Sequence, residues 1–144
     1  MGMIRLSEKQ PVTVVAQDSI YAAARAMTEK KTGAAVVVEG ARAIGIITER
    51  DVLQKVVAKG ANTEATQVRD IMTSPVLTAG LKTSVADAAA FLRKHHIRHL
   101  VVVDEKGDFA GVVTQRYLLY DMMDDLERNV GDLMGYIMKD GPGG

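Results

Sequence analysis

Thr48 and Asp51 directly follow an apolar stretch in the segment GIITERD, residues 45–51. The pattern predicts a buried strand followed at once by a helix, whose first N–H groups and partial positive charge favour a phosphate. The Thr48 hydroxyl can bond such a phosphate, and the Asp51 carboxylate can accept hydrogen bonds from two adjacent ribose hydroxyls. The same pair can also form a capping box that only starts a helix. The motif by itself therefore leaves a nucleotide site and a structural cap both open.

The other residues with chemical potential form weaker patterns. His95, His96 and His99 cluster, but a metal site would also need carboxylates at hand, and a helix end favours a histidine cation by itself. The chain has no Cys, which excludes thiol catalysis and Cys-based zinc sites. No serine-hydrolase, P-loop or zinc-protease motif occurs either. We therefore predict no enzyme, no catalytic residue, no metal and no cofactor.

Composition narrows the class of protein further. The 144 residues are 47% hydrophobic and only 4% aromatic, so an aliphatic core is predicted. Lys plus Arg and Asp plus Glu both number 18, and this zero net charge argues against nucleic-acid binding. The sequence has no signal-type start and no apolar run long enough for a membrane span. A cytoplasmic protein without membrane contact is expected.

The elements that must position these residues come as an internal repeat. Ser19-Ile20 aligns with Ser84-Val85, and further matches follow in the same order: VVVE at 36–39 with VVVD at 101–104, and GIITER at 45–50 with GVVTQR at 111–116. Each copy reads as strand, helix, strand, strand, helix. The strands are apolar on both faces, so we predict an α/β fold in which helices cover one face and the other copy covers the second.

Capping and turn residues suggest where these elements begin and end. Ser19 and Ser84 are predicted N-caps, Ser84 in a capping-box-like pair with Asp87. Gly33 and Gly60 are predicted to end the two helices of the first copy.

The segments outside the two copies are less regular. Thr66 is predicted to cap a short helix in the linker, and Gly131 and Gly135 are predicted to weaken the last helix, so that a second short helix begins after Asn129. A loose tail is expected from Asp140 onwards. The predicted domains are residues 8–60 for the first repeat, 61–74 for a linker with a short helix, 75–127 for the second repeat, and 128–144 for a C-terminal helix and tail.

Three motifs, taken together with the repeat, carry a family resemblance. They are GIITERD at 45–51, VRDIMTSP at 68–75 and HLVVVD at 99–104. From about residue 11 to residue 121 the chain resembles the CBS domain pair, or Bateman module, of small stand-alone CBS-domain proteins. The resemblance implies two β-α-β-β-α repeats packed about a pseudo-twofold axis. Two clefts between them would each hold an adenosine-containing ligand such as AMP, ADP, ATP, NAD or S-adenosylmethionine.

For the first cleft the resemblance implies a complete set of ligand residues. Thr48 would contact phosphate and Asp51 ribose, while Arg98 and His99 stand where relatives often carry basic residues. Two cations beside a helix N-terminus suit a phosphate chain. The implied lining is Thr48, Arg50, Asp51, Val76, Thr78, Ile97, Arg98 and His99.

For the second cleft the chain departs from the family pattern. Position 117 is Tyr instead of Asp, and no basic residue stands at positions 33 and 34. Tyr117 cannot bind a ribose diol as a carboxylate does, although its ring could stack on a base. The implied lining is Val12, Val14, Gly33, Ala34, Thr114 and Tyr117. We expect one intact site and one that is degenerate or used differently.

The predicted function is that of a regulatory sensor. The resemblance implies that it forms a homodimer and passes nucleotide occupancy to an unidentified regulated protein. A structural dimer or adaptor with vestigial clefts is the first alternative, and loss of the second Asp favours it. An enzyme acting on a nucleotide is the second alternative and a nucleic-acid binder the third.

Overall fold

The computed structural model describes residues 3–5 and 11–140, and two units of one plan follow each other in it. The first unit consists of β1 (Thr13–Val14), α1 (Ile20–Glu29), β2 (Ala34–Glu39), β3 (Arg42–Thr48) and α2 (Glu49–Val52), which continues as a π-helical turn over Leu53–Val57. After α3 (Val68–Ile71), the second unit consists of β4 (Thr78–Gly80), α4 (Val85–His95), β5 (His99–Val103), β6 (Phe109–Thr114) and α5 (Gln115–Asp140). The predicted α/β class and the duplicated β-α-β-β-α order are confirmed.

Each unit builds its own three-stranded sheet with the same strand pairing. β2 lies between β1, to which it is parallel, and β3, to which it is antiparallel, and β5 has the same relation to β4 and β6. The register shifts between Val37 and Val38, and again between Val102 and Val103. Bulges at equivalent positions confirm that the sequence repeat is a structural repeat.

The buried valines explain why the two sheets pack on each other. On one face of each sheet, helix residues such as Ile20 of α1 and Leu92 of α4 enter separate cores. On the opposite faces, Val36, Val101 and Val112 form a third cluster that contains residues of both units. Burying a valine side chain stabilises a fold by about 1.5–3 kcal/mol. This shared layer therefore holds the two units together and confirms that each covers a face of the other.

The connecting segments are part of the packed structure. Val68 and Ile71 of α3 are buried in the core of the first unit, although their segment is predicted as a linker. Gln67, and not the predicted Thr66, is the N-cap of α3, because its partner Asp70 lies three positions later and completes a capping box. Ile4 is buried in the core of the second unit, where its N–H donates to the carbonyl of Thr83 at 2.9 Å.

Helix starts follow the prediction more closely than helix ends. The Ser19 and Ser84 hydroxyls accept hydrogen bonds from the first turns of α1 and α4 as predicted. The prediction that Gly33 ends α1 is wrong, because the helix ends at Glu29 and the left-handed residue after it is Lys31, at φ 54°. Local sequence favours glycine for such a conformation, so the pattern pointed to the wrong residue.

The last helix is longer than predicted. α5 is continuous from Gln115 to Asp140, so the predicted break and the second N-cap at Asn129 are wrong. A glycine in a helix costs only about 1 kcal/mol relative to alanine, and Gly131 and Gly135 are absorbed in a long run of helix-forming residues. A loose tail is predicted from Asp140 onwards, but Asp140 is the last residue of α5. Residues 141–144 lie outside the described part of the chain. Among residues 3–5 and 11–140, no helix has both the length and the hydrophobicity needed to cross a membrane.

Candidate functional site

A cleft of about 720 Å³ opens between the two units at the start of α2. This volume lies within the range of about 300–1,000 Å³ that small-molecule sites occupy. Seven of the eight residues predicted for the first site line it: Thr48, Arg50, Asp51, Val76, Ile97, Arg98 and His99. The eighth, Thr78, is the first residue of β4, where it pairs with Val101 of β5, and lies outside the lining. The structure thus brings together residues that are distant in sequence and come from both repeats.

Thr48 and Asp51 form a reciprocal capping box at the edge of the cleft. The Thr48 N–H donates to Asp51 Oδ2 at 3.0 Å, and the Asp51 N–H donates to Thr48 Oγ1 at 3.2 Å. The motif therefore does form the helix-starting capping box that its sequence allows. It does not prevent ligand contacts, because a hydroxyl that accepts can still donate its own proton and each carboxylate oxygen has two lone pairs.

Lys55 adds a contact that the sequence reasoning did not consider. Its Nζ lies 3.3 Å from Asp51 Oδ1 and donates to the carbonyl of Ile71 at 3.0 Å. The ammonium thereby joins the Asp51 carboxylate to α3 and holds it in position at the cleft. The spacing of Asp51 and Lys55, four positions apart on a helix, is a signal that could have predicted this pair.

The His99 imidazole lies near the charged side chains of Arg98 and Glu49 in the lining of the cleft. Burial lowers the pKa of His99 from its usual 6.5, the Glu49 carboxylate raises it, and the Arg98 cation lowers it again. The direction of the shift favours a neutral imidazole at neutral pH in the free protein. Glu49 was missed because it follows Thr48 as an ordinary exposed helix residue, and only the fold brings it near His99.

A second cleft, of about 930 Å³, lies at the start of α5. Four of its six predicted residues line it, namely Gly33, Ala34, Thr114 and Tyr117. Val12 and Val14 do not, because they are buried in the core of the first unit beneath α1. The Tyr117 N–H donates to Thr114 Oγ1 at 3.1 Å, so the cap of the first site is repeated here by the hydroxyl, while a tyrosine ring replaces the carboxylate.

The second cleft carries cations that sequence reasoning did not predict. Lys31, Arg93 and Arg116 line it together with Arg98. These cations come from helix ends and from the start of α5. They do not come from positions 33 and 34, where the family pattern has basic residues. The Arg116 Nε donates to the Tyr120 hydroxyl at 3.2 Å, which orients this guanidinium.

The two clefts share one wall. Gly33, Ile46, Glu49, Arg98 and His99 line both of them. The pairing of strand and helix ends explains the arrangement, since the Glu49 N–H donates to the Gly33 carbonyl at 2.9 Å and the Gln115 N–H donates to the Arg98 carbonyl at 2.8 Å. In each repeat, the second helix (α2 or α5) therefore begins next to the start of the central strand (β2 or β5). The wall that the two clefts share lies at this place.

The histidine cluster is divided among different environments. The ring of His95 packs against that of Phe91 in a tilted arrangement, with centroids 4.4 Å apart, and His96 caps α4 in the left-handed conformation. His99 lies in the shared wall. In the described part of the chain, no group of three or more His, Cys, Asp or Glu side chains is arranged to hold a metal ion.

Similarity to known proteins agrees with this architecture. The mitochondrial CBS domain-containing protein CBSX3 of Arabidopsis thaliana is 35% identical over 120 residues, which cover 77% of this chain and 58% of that relative. A structure of a putative signal-transduction protein with CBS domains from Burkholderia ambifaria is 35% identical, with a TM-score of 0.76 over 81% of this chain and 85% of that one. A CBS domain protein from Pyrobaculum aerophilum, solved in complex with AMP, is 29% identical, with a TM-score of 0.70 over 80% and 85% of the two chains.

The family assignment follows from two matches within the one chain. The family model for the CBS domain matches residues 4–58 and again residues 68–124. Both matched ranges fall on the β-α-β-β-α units described above, and the predicted resemblance is confirmed. The chain belongs to the CBS-domain family and contains a pair of CBS domains.

Proposed function

We propose that this chain is a regulatory sensor that binds an adenosine-containing nucleotide, such as AMP, ADP, ATP, NAD or S-adenosylmethionine, in the first cleft. The observation that carries the proposal is that Thr48, Arg50 and Asp51 of one repeat face Ile97, Arg98 and His99 of the other across one cavity. The CBS domain protein from Pyrobaculum aerophilum solved with AMP supports this ligand class.

Each part of such a ligand has a matching group in the cleft. The Thr48 hydroxyl, Arg50 and Arg98 supply donors and positive charge for phosphate. Asp51 supplies acceptors for the ribose hydroxyls, and Lys55 keeps that carboxylate in place. Val76 and Ile97 offer apolar surface to a base. These are binding contacts, and we assign the chain a regulatory and not a catalytic role.

The proposed mechanism is differential binding. A nucleotide that touches both repeats favours the relative orientation of the repeats in which all its contacts are made. Occupancy of the cleft then changes the surface that a regulated protein contacts. We further propose that two copies associate as a homodimer. The identity of the regulated protein and the cytoplasmic location stay predictions.

The test is calorimetric titration of AMP, ATP, NAD and S-adenosylmethionine into the full chain and into two variants. We expect saturable binding of at least one ligand, weakened at least tenfold in Asp51→Ala, about 1.4 kcal/mol. Asp70→Ala is the matched control, since the Asp70 carboxylate also closes a capping box, accepting from the Gln67 N–H at 3.0 Å, but lies outside the cleft lining. It should lose the same cap, worth about 1 kcal/mol, and bind the ligand normally.

A structural adaptor is the second candidate. The observation that favours it is that the Asp51 carboxylate has structural partners in the protein itself, the Thr48 N–H and the Lys55 ammonium. If none of the four ligands binds below millimolar concentration, the sensor proposal is contradicted and the adaptor takes its place. If a ligand binds but both Asp variants lose affinity equally, the ribose contact assigned to Asp51 is contradicted.

A further inference from the structure

The last helix extends well beyond the body of the second repeat. Near its start, Leu118 is buried at 2% exposure and Met122 packs against the core of the second unit. Beyond that point the helix leaves the body, because every residue from 126 to 135 is exposed. These ten residues of α5 therefore have little covering from their own chain.

The projecting helix carries an apolar face with coiled-coil spacing. Leu119, Met123, Leu126, Val130 and Leu133 follow one another at alternating steps of four and three residues, and each is between 48% and 63% exposed. In heptad terms the three leucines occupy d positions, and the methionine and valine occupy a positions. A contiguous exposed apolar face of this kind marks an interaction surface.

Charge along the helix is arranged for contact with an identical surface. The charged residues lie at the outer b, c and f positions: Asp121, Asp124, Asp125, Arg128 and Asp132. The e and g positions that flank the apolar face hold Tyr120, Met122, Glu127, Asn129 and Met134, with a single charge among them. Two copies of this face can therefore approach without opposing like charges across the flanks.

The helix also needs a partner for its own stability. Isolated helices shorter than about 12–15 residues are marginal in water, and the exposed stretch over residues 126–135 is of that kind. Gly131 and Gly135 weaken it further, by about 1 kcal/mol each relative to alanine, and a Cβ at either position would meet nothing within 4 Å. Packing against an apolar partner face would offset this cost.

We propose that α5 of two copies of this chain form a parallel two-stranded coiled coil through Leu119, Met123, Leu126, Val130 and Leu133. Among parallel coiled coils, leucine at d combined with a β-branched residue at a, as at Val130, favours two strands over higher assemblies. The inference rests on the proposed association of two copies and assigns the surface that makes it. It does not depend on which nucleotide binds.

The first experiment compares the mass in solution of the full chain with that of two variants at adjacent positions. We expect the native chain to sediment at twice its 15.5 kDa mass. Val130→Glu places a charge at an a position and should raise the dimer dissociation constant at least tenfold. Gly131→Glu places the same charge at the neighbouring b position, in open space, and should remain dimeric. Thermal unfolding of both variants checks that the repeats remain folded.

The second experiment tests strand direction with single cysteines, since the native chain has none. Leu126→Cys and Leu133→Cys should each form an intermolecular disulfide on mild oxidation, because equivalent d residues face each other in a parallel pair. Asp132→Cys, on the outer surface, should not. In any one antiparallel register only one of the two d positions can meet its own copy.

The outcomes separate the possible failures. A monomeric native chain contradicts the proposed association itself. A dimer that survives Val130→Glu, a trimer or larger assembly, or crosslinking at only one d position contradicts the coiled coil while leaving association intact. Calorimetry on Val130→Glu shows independently whether the first cleft binds its ligand.

Discussion

His99 lies where the two clefts meet, and its protonation is coupled to folding. Burial lowers the pKa of this imidazole below 6.5, against the attraction of Glu49 and with the help of Arg98. In the unfolded chain these influences are absent and the group takes up its proton near pH 6.5. The unfolded state therefore binds more protons than the folded state as the pH falls through this region.

From this we expect a pH dependence of stability that His99 causes. The free energy of unfolding of the native chain should fall, relative to that of His99→Gln, as the pH drops below 6.5. The slope can reach at most about 1.4 kcal/mol per pH unit for one proton. Towards pH 8, where the imidazole is neutral in both the folded and the unfolded state, the difference in free energy of unfolding between the two proteins should no longer change with pH. Urea denaturation at a series of pH values measures this difference.

His95→Gln provides the control for that series. His95 is an exposed residue at the end of α4, in tilted ring contact with Phe91, and its replacement should leave the acid-side loss of stability in place. If the native chain and His99→Gln run parallel from pH 8 to pH 5, the buried-imidazole explanation is wrong.

Among the elements, β3 has a double role. It is one of the two outer strands of the first sheet, and it also receives the segment that leads to the second repeat. Ile46 and Thr73 exchange two backbone hydrogen bonds, at 3.1 and 2.9 Å. This approach is possible because residue 45 is glycine. A Cβ there would lie 2.8 Å from Met72 Sδ and 3.0 Å from the Thr73 carbonyl oxygen.

Gly45→Ala should therefore destabilise the protein by about 1–3 kcal/mol, the usual cost of overpacking. It should also weaken nucleotide binding, because Thr73 and Val76 of the displaced segment line the first cleft. Gly80→Ala in β4 is the matched control, since a Cβ there has open space. Chemical denaturation and calorimetry measure both effects, and equal midpoints for the two variants would contradict this account.

Sequence reasoning succeeded where a local pattern carries the information. The order of strands and helices and the Ser19 and Ser84 caps depend on nearby residues, and the family resemblance placed Ile97 and Arg98 opposite Thr48. It failed where distant packing decides. α1 ends at Glu29, before the predicted Gly33, with Lys31 in the left-handed conformation, and neighbouring helix formers carry α5 through Gly131. The cations of the second cleft come from elements that only the fold brings together.

In the molecule as a whole, the two clefts have the same backbone plan but different side chains at one ligand position. The first has a carboxylate three residues after its threonine, at Asp51, and the second has the Tyr117 ring at that place. Both have cations for phosphate, so the ribose contact is the main difference between them. We therefore expect one nucleotide to bind per chain with appreciable affinity.

Tyr117→Asp should restore the missing contact. The new carboxylate would stand at the third position of α5, where it can close a capping box with Thr114 and accept from ribose hydroxyls. We expect the calorimetric stoichiometry to rise from one nucleotide per chain to two. Tyr117→Ala, which opens the same space without a carboxylate, should stay at one. A second site in the native chain, or none in Tyr117→Asp, would show that position 117 does not decide occupancy.

The continuity of α5 has a mechanical consequence. Its first residues line the second cleft, and its 26 residues measure about 39 Å along the axis. With its projecting part packed on a partner helix, as proposed above, a rod of that length works as a lever: a tilt of roughly 5° at the cleft moves the far end by roughly 3 Å. A movement of α5 at the cleft can thus be too small to disturb the valine layer between the sheets. At the tip of the helix the same movement becomes a shift of nearly one side chain's width.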